Sequence, residues 1–184
     1  MLYYIITDGN TMAQTAQTAQ TAQTAAFLED GHDHSHCLDG ALDRAATLCA
    51  QKGVRLTALR RRVLELVWGG HRPLGAYDIL ASLRAERVGA APPTVYRTLD
   101  FLRQQGLVHR IESLNAFVGC PDPDTPHGGQ FLICLGCGLA AELNDNAVDL
   151  AILKSAAAAG FAVGRKVIEI EGLCPHCRNT KDQC

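Results

Sequence analysis

Two Cys-x-x-Cys pairs, Cys134-Leu-Gly-Cys137 and Cys174-Pro-His-Cys177, constrain this chain more than any other feature. Each pair places two thiolates on one tight turn, and Gly136 and Gly138 let the backbone wrap around the first. Four thiolates fill a tetrahedral shell and leave no open position, which is the pattern of a structural zinc site. The 36 residues between the pairs exceed a compact zinc ribbon and suit a strand–helix–strand excursion. The C-terminal unit is short for a core of its own, so a metal staple is expected to hold it. Free buried thiols or a redox pair are the other readings, and two pairs in one small unit favour metal over both.

The chain has eight cysteines, so its redox setting matters. Leu2 to Ile6 is apolar but too short for a signal-peptide core and lacks a basic flank. No apolar run approaches the roughly 20 residues that span a bilayer. A cytoplasmic protein with reduced thiols is expected, and no membrane partner.

Charge is segregated along the 184 residues. The net charge is −2, yet residues 52–110 carry eleven Lys or Arg against four acids. The first 51 residues carry one against six, and the last 74 carry five against nine. A basic middle third suggests a surface that holds phosphates. The alternative is an ordinary solvated basic face.

Local signals divide the chain further. Residues 1–36 read as a disordered, low-complexity tail, with Ala-Gln-Thr repeated four times from Ala13 to Thr24. His32, His34, His36 and Cys37 form a short cluster that is either an auxiliary metal site or a loose tail. Leu38 to Lys52 has the 3.6-residue apolar spacing of an amphipathic helix, ended by Gly53. Thr57 is a natural N-cap for a second helix through Trp68. A third helix is expected over 76–87. A fourth starts near Pro92-Pro93 and runs to Gln105, since proline is tolerated in a first turn. In it Val95, Leu99 and Leu102 share one stripe, which leaves Tyr96, Arg97 and Arg103 off the core. Two short strands, 107–111 and 116–119, complete a winged helix-turn-helix with the fourth helix as its reader.

Cys120-Pro-Asp-Pro-Asp-Thr-Pro reads as a linker. Strands over 130–134 and 139–143, a helix over 145–160, a strand over 162–170 and a polar tail then describe a small α/β unit. The fold class is therefore α+β. Its expected parts are a winged helix at 37–119, a hinge at 120–128 and a zinc-stapled α/β domain at 129–184. His109, Cys120, His127 and Glu142 remain as a mixed nitrogen, sulfur and oxygen set spread across the junction. Zinc accepts all three donor types, and a thiolate disfavours hard cations. A histidine in a strand or a cysteine before a proline-rich linker is also commonly incidental.

From about Leu38 to Cys177 the chain resembles the ferric uptake regulator family. The matching residues are Val54-Arg-Leu-Thr57, Ala76-Tyr-Asp78, Pro92-Pro-Thr-Val-Tyr-Arg97, Asp100-Phe-Leu102, Gly106-Leu-Val-His109, Ile111-Glu-Ser113 and the two cysteine pairs, the first followed by Gly138 and the second preceded by Gly172-Leu173. The resemblance implies a winged helix hinged to an α/β dimerisation domain. It implies structural zinc on Cys134, Cys137, Cys174 and Cys177, and a sensory metal on His109, Cys120, His127 and Glu142, hence two zinc ions per chain. Iron-sensing members carry a His-rich run before the first cysteine pair. Here His127 stands alone there and a cysteine occupies the hinge, and both departures favour zinc.

The same resemblance places Tyr96 and Arg97 at DNA bases, with Thr94 beside them. Arg97 can donate two hydrogen bonds to guanine, and the Tyr96 ring can pack on a thymine methyl or, alternatively, on a neighbouring helix. Arg55, Arg60–Arg62, Arg72 and Arg103 are phosphate candidates. The expected protein is a zinc-responsive repressor that binds a palindromic, AT-rich duplex as a homodimer, with no small organic substrate. Sensors of another metal or of peroxide on the same scaffold are the alternatives. A zinc hydrolase fits worse: a deaminase needs His-x-Glu and Pro-Cys-x-x-Cys. Here His109 and Glu112 are three apart, and Leu173 precedes Cys174.

Overall fold

The computed structural model describes residues 27, 34–70, 72–125 and 129–181, with residues 34–36 and 180–181 described by backbone alone. The Ala-Gln-Thr repeats, His32, His127 and the side chains of His34 and His36 lie outside this description. Four helices come first: α1 (His34–Gln51), α2 (Ala58–Trp68), α3 (Ala76–Ala85) and α4 (Pro92–Gln104). Thr57 caps α2 as its sequence predicts, its side chain accepting from the Arg60 amide at 3.4 Å. Pro92-Pro93 opens α4, and Gly106, at φ +79, turns the chain out of it. The stripe of Val95, Leu99 and Leu102 is buried against Ala45, Val63, Ile79 and Leu83. Tyr96, Arg97 and Arg103 are left on the outer face.

The wing has three strands rather than the two expected. Besides β2 (Val108–Ile111) and β3 (Ala116–Gly119), the two residues of β1 (Leu74–Gly75) pair with Phe117 and Ala116. A two-residue strand leaves no alternation to read, so β1 is invisible to periodicity.

The second sheet has the order β5-β4-β6, from β4 (Gln130–Cys134), β5 (Ala140–Glu142) and β6 (Ile168–Gly172). β5 is antiparallel to β4 and β6 is parallel to it, so α5 (Asn146–Ala158) makes the crossover. The strand expected over 162–170 begins only at Ile168. Pairing of Gln130 with Ile168 fixes its start, and pairing of Cys134 with Gly172 carries it on toward the second cysteine pair. The polar tail contains a short helix, α6 (Pro175–Lys181).

No residue of α5 is buried. Buried Gln130 ties it to the sheet, donating to the Asp145 carbonyl at 3.0 Å and to Asp149 Oδ1 at 2.7 Å. Lys166 pairs with the same Asp149. A small apolar cluster joins the two sheets: Ile111 and Val118 from the wing meet Phe131 and Ile133 from β4. Among the described residues, no helix is long and apolar enough to cross a membrane.

Candidate metal centres

The first cysteine pair forms on a hairpin between β4 and β5. The Cys134 amide donates to the Leu139 carbonyl at 2.8 Å, and the Gly138 amide to the Cys134 carbonyl at 2.8 Å. Gly138 takes φ +73, which costs a glycine little. A Cβ at Gly136 would stand 2.9 Å from the Cys177 sulfur, so the second pair packs directly on this turn. That second pair straddles the start of α6, where the Cys177 amide donates to the Cys174 sulfur at 3.4 Å.

The four sulfurs lie within 4.8 Å of one another, and the Cys137–Cys174 separation is 3.8 Å. A tetrahedral shell with Zn–S near 2.3 Å sets its sulfurs about 3.8 Å apart, so the set fits zinc. Burial disfavours the Cys134 thiolate, yet the amides of Cys174, Cys137 and Gly136 bring its pKa down to about 6. Burial and the neighbouring cysteines push Cys177 up to about 12. The protein's own groups therefore favour the Cys134 thiolate and oppose that of Cys177, and a divalent cation would supply the missing charge.

Three of the four residues expected at the mixed site come together. His109, Cys120 and Glu142 present ligand atoms within 4.8 Å of one another. His127 lies outside the described residues. The His109 Nε2 stands 3.2 Å from Glu142 Oε1, and both Glu142 oxygens are buried. Tetrahedral zinc with bonds of 2.0–2.2 Å separates nitrogen and oxygen ligands by about 3.4 Å, so this trio also fits.

Cys120 follows the last wing strand, and its amide donates to the Leu107 carbonyl at 3.1 Å. It is 2 % exposed. Burial, and then the Glu142 carboxylate, push its thiol up to about 12. The candidate ligands thus come from β2, from the residue after β3, and from β5. The residues that shape this site carry no sequence motif. The Phe131 ring packs 5.4 Å from that of His109, and a Cβ at Gly119 would overlap the Trp68 indole.

Cys37, the one cysteine of the N-terminal cluster, sits half-buried on the wall of a cavity of about 340 Å³ that Glu142 also lines.

The basic residues expected at DNA are placed differently from one another. Thr94, Tyr96 and Arg97 lie on the first two turns of α4, with Tyr96 and Arg97 exposed; Arg97 Nε donates to the Pro93 carbonyl at 3.2 Å. Arg55 is exposed, and Arg103 is exposed beside Asp100 at 3.6 Å. Arg60 is drawn inward: its guanidinium lies 3.4 Å over the Phe101 ring and donates to the Arg55 carbonyl at 2.6 Å. Arg62 grips Glu86 with two nitrogens at 2.6 and 2.7 Å, tying α2 to the end of α3.

Residues 51–171 match the model of the ferric uptake regulator family. The zinc uptake regulation protein of Escherichia coli K12 is 44% identical over 137 residues, 74% of this chain and 80% of that protein. A solved structure of a zinc uptake regulator complexed with zinc and DNA superposes with a TM-score of 0.74 at 41% identity, covering 79% of this chain and 97% of the other. The crystal structure of holo XcZur gives 0.70 at 38% identity, covering 80% and 99%. The chain belongs to the ferric uptake regulator family.

Proposed function

We propose that this protein is a zinc-responsive, DNA-binding transcriptional repressor of the zinc uptake regulator type, whose mixed site is the sensor and whose four-cysteine site is structural. One observation carries the reading. His109 on the wing sheet and Cys120 just after its last strand converge with Glu142 on the second sheet, so one ion bound there joins the DNA reader to the rest of the molecule. The zinc uptake regulator solved with zinc and DNA supports it. His127 is the expected fourth ligand, which brings the count to two zinc ions per chain. The chain is expected in the cytoplasm.

A second copy of the chain is the natural partner of the exposed apolar face. Leu150 (66 % exposed), Leu153, Phe161, Val167 and Ile170 are all uncovered on or beside α5 and β6. The unit is then a homodimer with two reading helices, which suits a palindromic duplex. Zinc at the sensor holds the two readers at one spacing. Moving a population from 1:99 to 99:1 takes roughly 5.5 kcal/mol of differential binding, within reach of a multi-ligand zinc site. On α4, Thr94, Tyr96 and Arg97 read bases, Arg55 and Arg103 meet phosphates, and Arg60 braces α2 on α4. The AT-rich character of the operator and the control of zinc-uptake genes belong to the same reading.

The test is zinc per chain in the wild type and in Cys120→Ser, before and after mild chelation, with DNA binding followed in parallel. One zinc resists chelation in both proteins. A second, removable zinc occurs only in the wild type, and DNA binding follows it. If Cys120→Ser keeps a removable zinc that still controls DNA binding, the mixed site is not the sensor.

A further inference from the structure

Glu142 and Glu169 flank Phe131 in register, one on β5 and the other on β6. Residues paired across neighbouring strands project to the same face of a sheet, so the row Glu142–Phe131–Glu169 faces one way. All three meet the wing. Glu142 reaches His109, and Phe131 packs on the His109 ring. Glu169 takes the next turn: its carboxylate accepts from the Glu112 amide at 2.6 Å and from the Ser113 amide at 3.0 Å. The spacing agrees. Two strand separations place the carboxylates about 9.6 Å apart, and three residues from His109 along the end of β2 and into its turn at Glu112 span about 10 Å. Arg165, just before β6, pairs with the Glu112 side chain from outside, and Arg110 lies 3.3 Å from it.

We propose that Glu169 is a positioning residue for the zinc switch, holding the wing turn at Glu112–Ser113 against the second sheet so that His109 meets Glu142 before the ion arrives. This rests on the reading of His109, Cys120 and Glu142 as the sensor. A carboxylate on two consecutive amides makes charge-assisted hydrogen bonds, the strong kind, and here they join the two sheets. Zinc binds the closed arrangement. Its apparent affinity therefore scales with the fraction of molecules already closed, and Glu169 raises that fraction. Saturating zinc closes the remainder whether or not Glu169 is present. The latch thus sets the zinc concentration at which the protein responds, and leaves the strength of the fully loaded state largely alone.

The experiment uses the full chain, buffered free zinc and a duplex selected from a random-sequence pool by the zinc-loaded wild type. Fluorescence anisotropy reads DNA binding against free zinc for the wild type, Glu169→Ala and Glu169→Gln. Glu169→Ala is expected to raise the half-maximal zinc concentration about tenfold. Its DNA affinity at saturating zinc stays within about threefold of the wild type. Glu169→Gln has nearly the same shape and keeps one acceptor, so it shifts less, and both variants retain the chelation-resistant zinc. An unchanged midpoint overturns the proposal. So does a fallen plateau at an unmoved midpoint, which marks Glu169 as a purely structural residue. A wild type whose DNA binding ignores zinc overturns the sensor reading itself, and the latch with it.

Discussion

His109 Nε2 and Glu142 Oε1 stand 3.2 Å apart although one belongs to the wing and the other to β5 of the second sheet. Cys120, whose amide donates to the Leu107 carbonyl, brings its thiol to the same place. Among the described residues, Glu142 is therefore the one candidate ligand of this site that the second sheet supplies. Glu142→Ala should keep the structural zinc and lose the link. Losing half of the roughly 5.5 kcal/mol that a full switch requires weakens zinc-dependent DNA binding about a hundredfold. Titration of DNA at fixed zinc checks it, and a variant within threefold of the wild type would show that Glu142 does not carry the coupling.

The four-cysteine site supports a different prediction. Cys174 is buried, and its amide donates to the Cys134 sulfur at 3.3 Å, so the two cysteine pairs share one centre. Structural zinc in small domains contributes on the order of 10–16 kcal/mol, as much as a whole domain's usual stability of about 5–15 kcal/mol. Cys174→Ser should lose the tight zinc and the second sheet, together with any dimer. The α1–α4 core is a separate apolar cluster and should keep its helical circular dichroism. Metal analysis and light scattering read both effects. Retention of one tight zinc would refute the assignment.

Gly119 is required for a steric reason. A Cβ there would fall on the Trp68 indole, and the next residue is Cys120, a ligand of the proposed sensor. Gly119→Ala should cost about 1–3 kcal/mol in thermal or denaturant unfolding, the usual range for overpacking. It should also weaken the removable zinc. The double variant Gly119→Ala, Trp68→Leu should recover part of both losses. An unaltered melting temperature in the single variant would mean that the wing backbone moves freely at this point.

The pH response of the wing contact has a definite sign. Burial opposes ionisation of Glu169, but hydrogen bonds from the Ser113 side chain and from the Ser113 and Glu112 amides outweigh it and lower its pKa below the usual 4.5. A carboxylate depressed in the folded state stabilises that state fully above its unfolded pKa. The contribution is lost as pH falls through the folded value. Glu112, Arg110 and Arg165 also face this turn and are common to both proteins compared. The stability difference between wild type and Glu169→Gln should thus be constant above about pH 5 and shrink below it. A difference that grows on acidification would reverse the assignment.

Much of this architecture is legible where one short stretch of sequence decides the outcome. Thr57 caps α2, Pro92-Pro93 opens α4, and the Val95–Leu99–Leu102 stripe turns Tyr96 and Arg97 outward, all from local rules. The cysteine pairs are equally plain, because ligand chemistry ties residue type to spacing. What escapes is decided by distant partners. β6 starts at Ile168 because Gln130 is across from it, not because its β-branched run begins there. Three prolines follow Cys120 in the sequence, and nothing there announces the bond of its amide to the Leu107 carbonyl. Glu169 grips Glu112 from 57 positions away, and Arg60, one of three consecutive arginines, is the one laid over Phe101. No pattern in the chain announces these contacts.

The arginines also divide by what they can do on DNA. Arg97 is exposed on the second turn of α4, where a reading helix meets base edges, so Arg97→Ala should cost about 1–3 kcal/mol and relax specificity at one base pair. Arg103, exposed near the end of the same helix, should behave as a phosphate contact. Arg103→Ala should weaken all sequences alike and reduce the salt slope by about 1. Arg60 is spent on Phe101 and the Arg55 carbonyl, so Arg60→Ala should act through the seating of α2 on α4. It should lower the melting temperature and leave the salt slope nearly unchanged. Binding to specific and scrambled duplexes across a salt series separates the three patterns. A base-specific loss from Arg103→Ala, or a uniform one from Arg97→Ala, would exchange their roles and turn the reading face of α4 toward its C-terminal end.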